Sequence, residues 1–466
     1  MRVTESSLGV APGVRSGERA IHVNSPAARW MGALTLLGAA VWLIAAVARG
    51  HDRAGWHATG RLEWSLTVLA AVALVARGVF LGRPVTARHA TTAAIVLFGG
   101  IATRVLSFDL VGDALIAGSG LTLMWPSTAR RQPGDLSRIW ALINATHGDP
   151  LAPFAMQAGK CYLFSADGTA ALAYRTRIGY AVVSGDPVGD ETQFPRLVAD
   201  FAGHCRTHGW RIVVLACSER RLPLWSDARV VGQSLRPVPI GCDVVIDVTN
   251  YAMTGRTFRN LRQAVQRTHN CGITTEIVAE RDLNDRQVAE LSAVLRASRK
   301  GARADRGFCM SLDGVLEGRF PGIQLIIARD TSGRAQGFHR YATAGGGSDI
   351  TLEVPWRRRG APNGIDERLS VDMVDAARSI GAQRLSLSFA AFPEIFDEIE
   401  RGRLQSVFYW LIHLLDPLIA LESLYRYVRK FHARDERRYA LVSLTQLVPL
   451  IYVLLSLEFI PRRRAL

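Results

Sequence analysis

A short basic stretch at residues 355–364 has the residue types of an anion-binding loop. It contains three consecutive arginines, and from Ile365 onward the sequence has the pattern of a helix that ends at Gly381. The first backbone N–H groups of a helix have no partner inside the helix and attract anions. Arginines beside such a helix start add charge and planar donor groups. The pattern predicts a site for an anionic group.

The segments around this loop indicate how it is positioned. Apolar runs separated by turn residues predict three strands within residues 323–354, and a further strand at 385–389 follows the helix. Three antiparallel strands, an anion loop, a helix and a parallel strand form an order that resembles the GCN5-related N-acyltransferase (GNAT) half-domain.

The same order of elements occurs earlier in the chain. Strand patterns between Tyr162 and Ser184 precede a glycine-containing loop, a helix at about 194–208 and a strand at 211–216. No sequence identity relates the two stretches, so the pattern predicts a repeat of structure only. We expect an α+β fold with tandem GNAT-like halves, the first over residues 127–250 and the second over residues 251–439.

Composition favours anionic partners. The chain has 466 residues, enough for two or three domains, and a formal net charge of +15. Such an excess favours nucleic acid or the headgroups of a membrane. Six cysteines are widely spaced and form no C-x-x-C pair, which favours reduced thiols in a cytosolic domain over a zinc site or disulfides. We expect no metal and no cofactor.

The N-terminal part of the sequence predicts an α-helical transmembrane anchor. Residues 1–29 are polar, so we expect a disordered tail, and the first apolar run begins too late for a signal peptide. Residues 30–126 predict about four membrane helices, at 30–48, 64–81, 91–106 and 110–125. Arg104, Asp109 and Asp113 lie near the turn between the last two segments. There they would snorkel to the membrane surface or pair across a tight helical hairpin.

Arginines on both sides of the anchor favour a cytoplasmic position for both of its ends. This predicts a multi-pass protein of the cell membrane with a cytoplasmic catalytic domain. Residues 440–466 form another apolar segment, which contains Pro449 and is followed by three arginines. Because a single span would place those arginines outside, we expect this segment to lie in the membrane plane or to re-enter it.

Seven short motifs, in this order, make the chain similar to the phosphatidylglycerol lysyltransferase C-terminal domain family, the catalytic half of the multiple peptide resistance proteins. They are SGDPVG at 184–189, GRTFRNLR at 255–262, RGF at 306–308, PNGID at 362–366, LSLSF at 385–389, LYRYVRKF at 424–431 and RRY at 437–439. The resemblance implies a tandem GNAT-like fold on a membrane anchor. It also implies transfer of an aminoacyl group from aminoacyl-tRNA to phosphatidylglycerol, with no cofactor.

The implied reaction is a transesterification, in which a glycerol hydroxyl of the lipid attacks the ester carbonyl of the aminoacyl-tRNA. Phosphate groups of the substrates favour arginine, whose planar fork contacts two oxygens at once. On this resemblance the candidates are Arg262, Arg306 and Arg438, with Lys430 as a point charge. Asp243 would bind a cationic group or, alternatively, cap a turn.

The remaining candidates are for the chemistry itself. Backbone N–H groups at Asn363, Gly364 and Ile365 would stabilise the oxyanion at the helix start. Asp366 would bind the amino group of the donor, or alternatively balance the helix dipole. Glu353 is a candidate general base, or alternatively an exposed strand residue. The sequence contains no recognisable Ser-His-Asp or Cys-His motif, which favours direct attack without a covalent enzyme intermediate.

Two other functions fit the same sequence. One is a GNAT-type N-acyltransferase that uses acyl-CoA, although Pro362 removes one N–H donor from the loop. The other is a catalytically silent membrane protein that binds anionic lipid. The sequence does not identify the amino acid or the oligomeric state.

Overall fold

The computed structural model describes residues 20–21, 34, 85–106, 108–123, 125–132, 134–298, 311–391, 426–443, 450, 452–454 and 456–457. The chain divides into two compact units. The first contains residues 1–128, 178–180 and 203–211, and the second contains residues 129–177, 181–202 and 212–466.

The first unit contains a helical hairpin of α1 (Ala87–Val105) and α2 (Asp109–Leu123). The helices approach closely at Gly100, where an added Cβ would lie 2.8 Å from the Ile116 side chain. Arg104 forms an ion pair with Asp113 across the hairpin, which is the second of the two arrangements expected for these charges. Two residues of the predicted N-terminal tail form the short strand β1 (Ala20–Ile21), which pairs with β2 (Val85–Thr86).

Within the described residues, no helix has both the length and the apolar character needed to cross a membrane. The predicted segments at 30–48 and 64–81 lie almost entirely outside the described residues. Both therefore remain predictions.

Twelve further strands and six further helices follow the hairpin within the described ranges. The strands are β3 (Cys161–Phe164), β4 (Ala170–Arg177), β5 (Tyr180–Ser184), β6 (Val188–Gly189), β7 (Arg211–Ser218), β8 (Arg236–Asp247), β9 (Thr274–Ala279), β10 (Ile323–Arg329), β11 (Ala335–Ala344), β12 (Asp349–Arg357), β13 (Arg384–Ala391) and β14 (Arg434–Val442). The helices are α3 (Asp135–Asn144), α4 (Phe194–His208), α5 (Ala228–Val231), α6 (Arg259–Asn270), α7 (Asp285–Ala297) and α8 (Ile365–Ser379).

These twelve strands form one mixed sheet. Its order is β3-β4-β5-β7-β14-β8-β13-β12-β11-β10-β9, with β6 paired to β4. In the second half β10, β11 and β12 are antiparallel, whereas β12 and β13 are parallel and are connected by α8. Strands β8 and β14 pair with each other and continue the sheet between the two halves.

The first half repeats this arrangement. Strands β3 and β4 are antiparallel, and α4 connects β5 to β7. Arg211 N–H donates to the Gly179 carbonyl and Gly185 N–H donates to the Leu215 carbonyl. From the first bond to the second, the residue numbers rise on both segments, so β5 and β7 run parallel. The fold is therefore α+β with tandem GNAT-like halves, and the predicted repeat is confirmed.

The core of the second half lies between the sheet and α8. Leu369, Met373 and Ala377 recur at a spacing of four residues on α8, and all three are buried against strand residues such as Ile350 and Leu385. This spacing gives the helix one apolar face and fixes its orientation on the sheet. Consequently the residues at the start of α8 lie beside the end of β12.

The last described strand also corrects one boundary. Strand β14 ends at Val442, so the first three residues of the predicted apolar segment 440–466 belong to the sheet. Most of the remainder of that segment lies outside the described residues.

Candidate functional site

The predicted anion loop ends where α8 begins. Gly364 precedes the helix with a φ of 102°, a left-handed conformation that favours glycine. An added Cβ there would lie 2.5 Å from the Ala264 carbonyl oxygen, so a larger residue would push α6 away from the helix start. No side chain caps this end of α8, so its first N–H groups are not used by a capping residue. Asn363, the preceding residue, is exposed.

Asp366 lies in the first turn of α8 and contacts two basic side chains. Its Oδ1 lies 3.3 Å from His339 Nε2, and its Oδ2 lies 3.5 Å from Arg357 Nε. The side chain of Asp366 is 19% exposed, whereas that of His339 on β11 is fully buried. The Asp366 carboxylate is therefore partly open to solvent, whereas the His339 ring is not, and this carboxylate already faces one guanidinium and one imidazole.

A line of polar groups leads from His339 into the core. His339 Nδ1 lies 3.4 Å from the Tyr341 hydroxyl, which lies 3.4 Å from Ser370 Oγ. Ser370 Oγ in turn is hydrogen-bonded to the hydroxyl of Tyr427. Burial raises the pKa of Tyr341 and of Tyr427, so both phenols stay protonated and can donate. Polar groups in an apolar core need such partners, because an unpaired one is costly.

Sequence spacing explains how these residues meet. His339 and Tyr341 are two apart on β11 and share one face of the strand, and Asp366 and Ser370 are four apart on α8 and share one face of the helix. His339, Tyr341 and Ser370 were not predicted from the sequence, and Tyr427 was named only within a motif. The sequence signal that could have identified them is the pair of polar residues His339 and Tyr341, two positions apart within an otherwise apolar strand.

Glu353 does not have the placement expected of a general base. It lies in the middle of β12 and is buried, with one carboxylate oxygen 2.7 Å from Arg340 Nη1. The other oxygen accepts from the Leu312 N–H at 2.6 Å and from Ser311 Oγ at 3.0 Å. Arg340 also binds Glu280, so the group is a buried ion-pair triad. These contacts argue against proton abstraction by Glu353 and assign it a structural role.

Arg438 and Asp243 also have placements that differ from the prediction. Both are buried, and Arg438 Nε donates to Asp243 Oδ2 at 2.8 Å. The same guanidinium contacts Asp149 at 2.7 Å and Asp186 at 3.2 Å. A fully buried guanidinium has no surface to offer a lipid phosphate, and Asp243 already has a cationic partner. Burial is the largest cause that raises the pKa of Asp186, and the charge of Arg438 opposes that effect.

This buried cluster joins distant parts of the chain. Asp149 follows α3, Asp186 follows β5, Asp243 is on β8 and Arg438 is on β14. Arg438 Nη1 also donates to the carbonyl of Ala216, a non-glycine residue with a φ of 60°. Such a conformation costs about 1–2 kcal/mol and is kept where other contacts require it. The cluster therefore holds the two halves of the sheet together.

Two other predicted phosphate ligands keep some exposure. Arg262 on α6 is exposed, and its Nη1 donates to the Met253 carbonyl at 2.7 Å. Lys430 forms an ion pair with Glu367, and its side chain remains 42% exposed. Arg306 lies outside the residues that the structure describes. Its predicted role and those of Arg262 and Lys430 remain predictions.

The described residues contain no group of three or more His, Cys, Asp or Glu side chains arranged to hold a metal ion. Cys161, Cys205, Cys217 and Cys242 are free and buried, and Cys271 is free and exposed. Burial raises the pKa of the Cys161 thiol to about 11, which keeps it protonated and unreactive.

Comparisons with known proteins agree with this fold. Residues 140–442 match the sequence profile of the family described as phosphatidylglycerol lysyltransferase, C-terminal. An MprF-like domain protein of Mycobacterium tuberculosis is 70% identical over 461 residues, covering 99% of this chain and 95% of that protein.

More distant relatives extend the comparison. The lysylphosphatidylglycerol biosynthesis bifunctional protein LysX of Mycobacterium marinum is 27% identical over 66% of this chain, which spans only 27% of that longer protein. Among solved structures, L-PGS from Bacillus licheniformis superposes with a TM-score of 0.60 at 18% identity. That superposition covers 72% of this chain and 99% of the other, and it shows a shared fold. The chain belongs to the phosphatidylglycerol lysyltransferase C-terminal family, a family of transferases.

Proposed function

We propose that this protein is a membrane-bound aminoacyltransferase that moves an aminoacyl group, lysyl or similar, from aminoacyl-tRNA to phosphatidylglycerol. The observation that carries the proposal is the family match over residues 140–442, which includes the start of α8 and its partly exposed Asp366. Replacing an anionic lipid headgroup by a neutral or cationic one lowers the negative surface potential of the membrane. That change reduces attraction for cationic peptides.

The reaction breaks one ester and forms another. A glycerol hydroxyl of phosphatidylglycerol attacks the carbonyl carbon of the aminoacyl ester, and the bond from that carbon to the ribose oxygen breaks. The hydroxyl proton passes to the departing ribose oxygen, so no oxidant, reductant or added cofactor is required. A tetrahedral intermediate with one oxyanion lies between the two esters.

Chain groups at the start of α8 suit both needs of this reaction. The carboxylate of Asp366 would bind the ammonium group of the aminoacyl donor, because a charge-assisted hydrogen bond is stronger than a neutral one. Uncapped N–H groups at Asn363, Gly364 and Ile365 would receive the oxyanion. Arg262 and Lys430, which keep exposure, are the described candidates for the lipid phosphate.

The α1–α2 hairpin supports membrane attachment. Large apolar side chains of this region are exposed, among them Ile95, Phe98, Val105 and Leu110, with exposed fractions between 70% and 85%. Exposed apolar patches of this kind mark contact with a membrane or a partner. Together with a net charge of +15, they favour attachment to an anionic membrane, with the catalytic halves in the cytoplasm.

The direct test is lipid synthesis by the purified full chain. Phosphatidylglycerol vesicles are mixed with tRNA charged with one radiolabelled amino acid at a time, and the lipids are separated by thin-layer chromatography. The proposal predicts a labelled lipid with at least one charged tRNA. Absence of labelled lipid with every charged tRNA, together with acyl transfer from acyl-CoA to an amine, would instead support the N-acyltransferase alternative.

A further inference from the structure

A basic cavity of about 540 Å³ lies in the second half, apart from the contacts of Asp366 described above. Four of its described lining residues are arginines, and none of the described lining residues is acidic. The arginines are Arg296, Arg334, Arg358 and Arg359. Their convergence concentrates positive charge in one concave surface, which raises the local concentration of anions.

Three separate elements bring these arginines together. Arg296 is in the last turn of α7, Arg334 is in the turn between β10 and β11, and the other two directly follow β12. A capping box at Asn284 fixes the opposite end of α7. The cavity is therefore built on the ends of regular elements.

Hydrogen bonds hold the lining in place. Asp330 accepts from the Arg334 N–H at 3.0 Å and, through its other oxygen, from Gln336 Nε2 at 2.6 Å. Arg358 donates from Nε to the Ala335 carbonyl at 2.8 Å. The Ser332 hydroxyl is the first of several donors that lower the pKa of Asp330 to about 2, so this turn keeps its anionic anchor across the physiological range. The geometry of the cavity is thus set before any ligand binds.

The described acids beside the cavity are paired chiefly with Arg329, although the charge of Arg358 also helps to lower the pKa of Glu290. Glu290 accepts from Arg329 Nη1 at 2.9 Å and from the Ala335 N–H at 2.7 Å. Arg329 also binds Glu276. Within the described part of the chain, none of the four cavity arginines forms an ion pair with an acidic residue. Each guanidinium therefore keeps donors for an external anion.

The remaining lining residues decide which anion fits. Besides the arginines and Gln336, the described lining consists of Ala297 and Gly360, so it offers no aromatic platform and no large apolar surface. Acyl chains of a lipid need apolar contact, and stacked bases need aromatic side chains. Spaced guanidinium groups that lack both an aromatic platform and a large apolar surface are suited to bind a phosphodiester backbone. Such a backbone carries one charge per nucleotide.

A short loop connects the cavity to the candidate site. Arg358 lines the cavity and its neighbour Arg357 lies 3.5 Å from Asp366, but side chains of consecutive strand residues lie on opposite faces of a sheet. Arg359 and Gly360 also line the cavity, and α8 begins five residues after Gly360, at Ile365. A nucleic-acid strand that follows this loop from the cavity would bring its end to the start of α8.

We propose that this four-arginine cavity binds the phosphodiester backbone near the 3′ end of the tRNA and so presents the aminoacyl ester to Asp366. The inference rests on the proposed function, because it assumes an aminoacyl-tRNA donor. Recognition is by charge and is independent of base sequence. Every tRNA therefore binds here with similar affinity, and the choice of amino acid is made elsewhere.

The test compares binding of a fluorescent uncharged tRNA by the full chain and by two double variants. Arg334→Gln with Arg359→Gln removes two cavity charges, and Arg229→Gln with Arg281→Gln removes two exposed charges outside the cavity. The affinity for tRNA is measured by fluorescence anisotropy at about 50–200 mM salt. Over this range, phosphate contacts make the affinity strongly dependent on salt. The cavity variant should bind about tenfold more weakly, with a salt slope shallower by about 1.4–1.8.

Two further measurements separate the possible outcomes. An Arg334→Lys and Arg359→Lys variant should recover most of the salt slope, because each lysine restores a charge. Unchanged tRNA affinity in the glutamine variant, or competition of coenzyme A for the cavity, would overturn the assignment. If the wild-type chain still makes aminoacylated lipid in that case, only the assignment of the cavity as a tRNA site is refuted. If tRNA binds the cavity but no charged tRNA yields lipid, the proposed function fails instead.

Discussion

Arg438 Nε donates to Asp243 Oδ2 at 2.8 Å, although 195 positions separate the two residues in the chain. Both residues were expected to bind substrate, and the structure instead pairs them inside the sheet. With Asp149 and Asp186, the pair joins segments of both halves around one buried guanidinium. The relationship gives Arg438 of the RRY motif a structural position between the two halves.

Removal of this guanidinium should destabilise the protein strongly. Arg438→Met leaves three buried aspartates without their cation, and loss of one partner from a buried ion-pair group costs about 3–5 kcal/mol. Arg437→Met on the same strand is the matched control, because Arg437 is exposed and its change should cost within about 0.5 kcal/mol. Urea unfolding of both variants measures the difference. Equal midpoints for the two variants would contradict the structural role.

Glu353→Gln should affect stability more than catalysis. The variant weakens the ion pair with Arg340, and we expect a loss of about 1–3 kcal/mol in the free energy of unfolding. Glu317→Gln, at a half-exposed ion pair, should leave stability almost unchanged. A general base contributes about 10²–10⁴-fold to a rate. A fall of that size in kcat, with the variant still folded, would restore Glu353 as the base.

Asp366→Asn should lower transfer without loss of fold. The side chain is partly exposed, and its charge would bind the ammonium of the donor, a contact worth about 1.5–3 kcal/mol. We expect kcat/KM for aminoacyl-tRNA to fall by about 10–150-fold. Asp375→Asn on the same helix, where the carboxylate is 66% exposed and faces Arg378, is the control and should retain full activity. Equal rates for the two variants would remove Asp366 from the site.

The stability of the first unit should depend on pH through His204. Burial, and then the charge of His208, lower the pKa of His204 to about 4, and its ring lies 5.5 Å from that of Trp210. The unfolded chain binds a proton near pH 6.5, whereas the folded chain resists it until about pH 4. Stability is therefore complete above pH 6.5 and decreases as the pH falls towards 4, by about 1–3 kcal/mol in all.

Two variants check this dependence. His204→Phe should flatten the decrease, while His269→Gln at an exposed site should keep it. Thermal unfolding at half-unit intervals of pH gives the comparison. A decrease of the same size in the phenylalanine variant would assign the effect to other groups.

Much of the fold could be predicted from local pattern. Turn residues and apolar runs between Ile323 and Phe389 identified the meander, the crossover helix and the parallel strand, because each is a feature of neighbouring residues. Helix α8 begins at Ile365, as predicted, for the same reason. The pairing of Arg104 and Asp113, one of two arrangements expected for them, is also local, because only a short turn separates their helices.

The site was harder to predict, because its contacts join residues far apart in the chain. The sequence placed Asp366 at a helix start, but its contact with His339 depends on how α8 lies on β11. In the sequence, the motif around Arg438 looks the same whether the arginine is an exposed phosphate ligand or a buried residue. Its pairing with three aspartates from distant parts of the chain is visible only in the structure. Burial, and not residue type, decides between a ligand and a structural ion pair.

The measurement that tests the account most directly supplies one labelled amino acid to the full chain in three forms, with phosphatidylglycerol vesicles present in each. The forms are intact aminoacyl-tRNA, aminoacyl-tRNA digested with ribonuclease, and the free amino acid. We predict labelled phosphatidylglycerol from the intact aminoacyl-tRNA alone, and none with the Asp366→Asn variant at the same protein concentration and time. Labelled lipid that forms equally well after ribonuclease digestion, or from the free amino acid, would contradict the claim that the donor is aminoacyl-tRNA.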